Sequence, residues 1–125
     1  MEPSTEEIDG ALDHERFGQL ARDLGPEGTQ VLVREFLHLT PAGIAEIRDA
    51  AEAGDAGTLA RAAHRVRGGC LALGAMHLAA ACSAAEKAGG GASGQGEVSD
   101  GLDAHADAVD RAWQATRLAL LRTLP

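Results

Sequence analysis

The 125 residues contain no tyrosine, two phenylalanines and one tryptophan, an aromatic content of 2%. Sheets draw on aromatic and β-branched side chains, so this scarcity beside abundant alanine and glycine speaks for helices packed closely through small residues. Cysteine is limited to Cys70 and Cys82. Both fall inside helical patterns, which reads them as reduced small hydrophobes of a core rather than as a disulfide framework. No apolar run approaches the roughly 20 residues of a membrane span, and no signal peptide is read at Met1. Positive charge is also short: 11 Lys and Arg stand against 19 Asp and Glu, a net charge of −8. That balance argues against nucleic acid and against an anionic membrane as partners. The expectation is a soluble, cytoplasmic chain with one modest core.

Residues 1–12 are polar and acidic and are expected to form a flexible N-terminal segment, with residues 13–125 as a single helical domain. Asp13 is placed to cap a short helix from His14 to Leu24, with Phe17, Leu20, Ala21 and Leu24 on one side. Gly25 ends it, and Pro26 suits the first turn of a second helix running to about Ala53. Leu32, Phe36, Leu39, Gly43, Ile47 and Ala50 form its apolar stripe, and Pro41 is expected to kink it. Gly54 and Asp55 close that helix and open a third, from Ala56 to Leu73, which Gly74 ends. A fourth covers Ala75 to Ala88, with Leu78, Ala81, Cys82 and Ala85 inward. The glycine-rich run after it reads as a flexible loop. A phosphate-binding loop needs a preceding strand and a following Lys-Ser/Thr, and neither is present. Ser99 or Asp100 is expected to cap a last helix, with Leu102, Ala106, Val109, Trp113, Thr116 and Leu120 at alternating spacings of four and three. The fold expected is all-α, an antiparallel up-down four-helix bundle with a short additional N-terminal helix.

Within the third helix, steps of about 100° per residue put Leu59, Ala62, Val66, Cys70 and Leu73 on one side. His64 stands on the opposite face, flanked by Arg61 and Arg67, with Gly68 one turn on. Two mid-helix glycines, Gly68 and Gly69, weaken a helix by about 1 kcal/mol each relative to alanine. A glycine at i+4 leaves the imidazole uncovered, so the cost points to a need for access to the ring. A neutral imidazole is a competent nucleophile at cellular pH. A carboxylate on one ring nitrogen would leave the other free to attack. Leu71 projects near the same face, where the core cannot use it. His14, His38, His77 and His105 have no ligand partner at i+3 or i+4 and read as solvated or packing residues, so no metal site is expected.

Residues 62–90 resemble the histidine-containing phosphotransfer family. The resemblance is carried by Ala63-His64, Val66, Arg67-Gly68, Leu73-Gly74-Ala75, Leu78-Ala79, Cys82 and Glu86. It implies a phosphorelay protein in which His64 takes a phosphoryl group from a receiver-domain aspartyl phosphate, or from a histidine kinase, and passes it to another receiver. Arg67 falls where the family usually has lysine near the phosphoryl group, Gly68 leaves room for the partner, and Glu86 aligns with a position that bonds the acceptor ring in several members. Gly69 replaces a small polar residue, which removes one possible hydroxyl contact. Ala85 stands where a larger apolar residue is usual. Arg61, Arg65 and Leu71 are expected to bind the partner, a response-regulator receiver domain or hybrid histidine kinase. No cofactor of the chain's own is expected, Mg²⁺ being the receiver's. The chain is expected to be a monomeric bacterial phosphocarrier rather than an independent enzyme. The alternative is a non-catalytic docking module that regulates a receiver or kinase without carrying phosphate.

Overall fold

In the computed structural model, residues 2–91, 94, 96–98 and 100–125 are described. Among the described residues, five helices follow in order: α1 (Thr5–Asp9), α2 (His14–Ala53), α3 (Ala56–Leu73), α4 (Met76–Ala88) and α5 (Leu102–Leu121). Helix α2 starts where Asp13 accepts from the amides of Glu15 and Arg16. Its last turn closes on Gly54 in the left-handed region, with φ 68°. Asp55 then caps α3 through the amide of Thr58, and Gly74, with φ 78°, ends it. Two-residue connections of this kind turn the chain back on itself, so α2, α3 and α4 run antiparallel in sequence. A longer connection brings α5 against both α4 and α2 and closes the bundle.

The core is filled by Val33, Phe36, Ile44 and Ile47 from α2, Leu59, Val66, Cys70 and Leu73 from α3, Leu78 and Cys82 from α4, and Val109, Trp113 and Leu120 from α5. Phe36 meets Trp113 with ring centroids 6.0 Å apart and planes tilted by 59°, one of the arrangements aromatic pairs favour. Buried hydroxyls bond to their own helix: Thr29 donates to the Gly25 carbonyl at 2.7 Å and Thr116 to that of Ala112 at 2.8 Å.

Several expectations are corrected. The first twelve residues hold α1, where Ser4 and Glu7 form a reciprocal capping box. Ile8, Ala11 and Leu12 are buried, and Glu7 takes a two-pronged contact from Arg111 of α5 at 2.8 and 2.9 Å. The Ser-x-x-Glu spacing ahead of Ile8 was the available signal. The expected break at Gly25 is present (φ 74°, ψ 172°), so α2 is two helical stretches meeting there, but the kink expected at Pro41 is not: Pro41 sits in continuous helix. Pro41 is exposed, so the carbonyl it leaves without a donor faces water rather than the core. Leu39 is 60% exposed, and Val33, Thr40 and Ile44 hold the buried seam instead. Leu39 is one residue, hence about 100°, off that seam. Ser99 lies outside the described residues. Gly101 rather than Asp100 takes the N-cap of α5, without a side-chain bond. The glycine-rich connection is tied at its base by a bridge between Gly89 and Val98 and by a 2.7 Å bond from the Gly96 amide to the Gly90 carbonyl.

Two outcomes are expected. The Arg111 guanidinium holds the Glu7 carboxyl at about 2, below its ordinary 4.5. Since the folded value is the lower one, the contact is fully present above about 4.5 and is lost as pH falls toward 2. Amide signals of α1 should therefore shift in that window. Separately, a Cβ on Gly89 would stand 2.6 Å from the Ala56 carbonyl oxygen. A backbone atom cannot step aside, so Gly89→Ala should destabilise the bundle by about 1–3 kcal/mol in denaturant titration.

Candidate functional site

His64 projects from the middle of α3 with its side chain 51% exposed. The inner side of the same helix is seamless: Leu59, Ala62, Ala63, Val66, Cys70 and Leu73 are all buried. The ring is held from the neighbouring helix. Glu86, on the last turns of α4, places Oε1 3.1 Å from Nδ1 of His64. Arg67, one turn along α3, places Nη2 3.4 Å from the same nitrogen and Nη1 3.7 Å from Glu86 Oε2. Guanidinium only donates and an ionised carboxylate only accepts, so one ring nitrogen cannot serve both. The shorter contact decides: Nδ1–H donates to Glu86, and Nε2 carries the free lone pair. The structure thus brings His64, Arg67 and Glu86 together, with Gly68 next to Arg67 along α3.

The two glycines of α3 differ sharply. A Cβ on Gly68 would meet nothing within 4 Å, whereas one on Gly69 would stand 3.3 Å from the Phe36 ring. Gly69 therefore reflects packing against α2 rather than a missing hydroxyl contact. Gly68 has no internal reason, and the space over it opens to solvent beside His64. Leu71 lies on the same face, 44% exposed.

The arginines form less of a positive patch than the sequence suggests. Arg65 is paired with Glu46 of α2, a partner that no local spacing announces. Arg61 turns back along its own helix, with Nη2 3.3 Å from Thr58 Oγ1. Next to this face, between α2 and α3, runs a groove of about 410 Å³ lined by Leu32, Phe36, Leu39, Val66, Gly69 and Leu73. Glu35, Glu46 and Arg65 rim it. Beneath the cluster, burial pushes the Cys82 thiol up to about 12 and raises that of Cys70 as well, so both are inert core groups. Among the described residues, no three His, Cys, Asp or Glu side chains gather as a metal site would require. None of the helices described is long and apolar enough to cross a membrane.

The family model of the Hpt domain matches residues 31–115, a span that takes in most of α2, all of α3 and α4, and most of α5. The chain belongs to the Hpt domain family. Members of it perform histidine phosphotransfer in two-component signalling and interact with receiver domains or kinases. No curated protein matches the chain.

The open space over Gly68 yields a two-sided expectation. Gly68→Ala should stabilise the isolated bundle by about 1 kcal/mol, through helix propensity alone. The same methyl should weaken binding of a cognate receiver domain by about tenfold, roughly 1.4 kcal/mol. Thermal unfolding and titration calorimetry read the two effects separately.

Proposed function

We propose that the chain is a cytoplasmic, monomeric phosphorelay intermediate that accepts a phosphoryl group on Nε2 of His64. The donor is the aspartyl phosphate of a receiver domain, or a histidine kinase, and the recipient is a second receiver. The observation that carries this reading is a half-exposed imidazole with Nδ1 held by a carboxylate 3.1 Å away, on a convex helix face beside an uncovered glycine.

In the transfer, the Nε2 lone pair forms the bond to phosphorus. The phosphorus–oxygen bond of the acyl phosphate breaks, and its electron pair leaves with the aspartate carboxylate. No proton has to leave Nε2, because the tautomer already exposes the lone pair. The ring becomes cationic while Nδ1–H stays on Glu86, and the carboxylate offsets the new charge. Passing the group on runs the same step in reverse. Mg²⁺, in this reading, belongs to the receiver. Leu71 and the α2–α3 groove supply apolar area for docking, and Arg61 and Arg65 its charged edge. A convex surface with no enclosed pocket at His64 suits a protein substrate better than a small one.

Incubation with a phosphorylated receiver domain should transfer acid-labile, base-stable label to the wild type and none to His64→Gln. Binding without label, across several receivers, would instead favour a docking module that regulates its partner.

A further inference from the structure

The groove between α2 and α3 contains a polar group that the fold leaves idle. Thr40 lines it and is only 7% exposed. The other two buried threonines bond back to the carbonyl four residues earlier, Thr29 to Gly25 and Thr116 to Ala112. Thr40 makes no such bond among the described residues. Its hydroxyl is not sealed off either, since Glu86 Oε2 is the one side-chain oxygen among the described residues that is both shut from solvent and unpartnered. The Thr40 hydroxyl therefore opens onto the groove. A nearly buried hydroxyl without a protein partner costs free energy that a bound donor or acceptor recovers.

The walls suit a compact apolar body. The groove holds about 410 Å³, within the range of small-molecule sites, and Phe36, Leu39 and Val66 supply apolar surface. Gly43 puts no side chain into it, and exposed Ala42 and Ala72 border it with one methyl each. Charge at the rim is uneven. Arg65 is matched to Glu46, whereas Glu35 is exposed and has no ion-pair partner among the described residues. One uncompensated carboxylate remains, and it calls for a cation. Glu35 and Thr40 are five residues apart on α2, about 7.5 Å along the axis. A ligand that meets both carries its cation and its hydrogen-bonding group at opposite ends of a short apolar middle.

We propose that the α2–α3 groove is a binding site for a compact hydroxyaryl amine, with the ammonium on Glu35, the ring against Phe36 and Val66, and the hydroxyl on Thr40. The effect of occupancy on docking rests on the phosphorelay reading, in which the same groove meets the receiver. The site itself exists in the free chain and is measurable there.

The test titrates the ¹⁵N-labelled chain with tyramine, phenethylamine and hydroxyphenylpropionate, which share a ring, and follows the amides of Gly43 and Gly69. Tyramine should bind about fivefold more tightly than phenethylamine, the size of one neutral hydrogen bond. It should bind about threefold more tightly than hydroxyphenylpropionate, as a partly exposed charge allows. Thr40→Val, which keeps the side chain's shape, should remove the first difference, and Thr40→Ser should retain it. Glu35→Gln should remove the second. Ala72→Phe, at an exposed position, should fill the groove and abolish binding of all three while leaving thermal unfolding unchanged. Saturating tyramine should slow transfer from a phosphorylated receiver severalfold.

Equal binding of the three probes would reduce the groove to apolar surface and overturn the proposal. So would shifts that survive Ala72→Phe. Amides of Gly43 and Gly69 that respond to a receiver domain and to none of the probes would give the groove to the protein partner and overturn it as well. A chain that takes the probes in this order and never takes label bears out the site and counts against the phosphorelay reading alone.

Discussion

Helices α3 and α4 lie against one another through alanine and glycine, and that close approach sets the geometry at His64. Ala60 and Ala63 on α3 and Ala79, Ala85 and Ala88 on α4 are all buried, and a Cβ on Gly89 would stand 3.0 Å from that of Ala60. Small side chains at a helix contact bring backbones together. A glutamate on the second helix then spans the gap to an imidazole on the first. Larger residues at Ala63 or Ala85 would widen the contact and put Nδ1 beyond reach of Oε1. Ala85, where the resemblance leads one to expect a larger apolar residue, is fully buried.

Charge around the site follows from the same packing. Arg65, expected to bind the partner, and Arg67, expected near the phosphoryl group, are each matched to a carboxylate on a neighbouring helix, Glu46 and Glu86. Exposed ion pairs contribute little to stability, so their larger effect here is to fix where guanidinium groups point. The face that a partner meets is consequently nearer neutral than the sequence implies. Recognition in the proposed transfer then leans on shape and on apolar area at Leu71, Leu39 and the α2–α3 groove, with Arg61 as the nearest arginine lacking a carboxylate partner among the described residues.

Much of the bundle was legible because its signals are local. Asp13, Gly54, Asp55 and Gly74 mark helix ends through hydrogen bonds and backbone angles that depend on neighbouring residues only. The seams of α3 and α5 appear as regular spacings. Legibility failed where a long-range contact decides. Helix α1 is held by Arg111, more than a hundred residues away. Leu39 loses its place in the seam of α2 to Thr40, a residue that hydropathy alone would place outside. Glu46 gives no hint of its pairing with Arg65. At the site itself, His64 and Glu86 were placed by a mixture of helical phase and resemblance. The position of Arg67 was legible only as a charge near the histidine, not as a charge on one side of its ring.

Glycine shows why sequence alone could not finish the argument. Gly43, Gly68 and Gly69 look equivalent in a helical reading, and each costs helix stability relative to alanine. In the structure, a Cβ on Gly43 would stand 2.6 Å from Val66 and one on Gly69 3.3 Å from the Phe36 ring. Those two are explained by the fold. Gly68 has nothing near it, so the fold gains nothing from the missing side chain and bears its cost unaided. In the proposed transfer, that unforced glycine beside the exposed histidine leaves room for the partner that docks there.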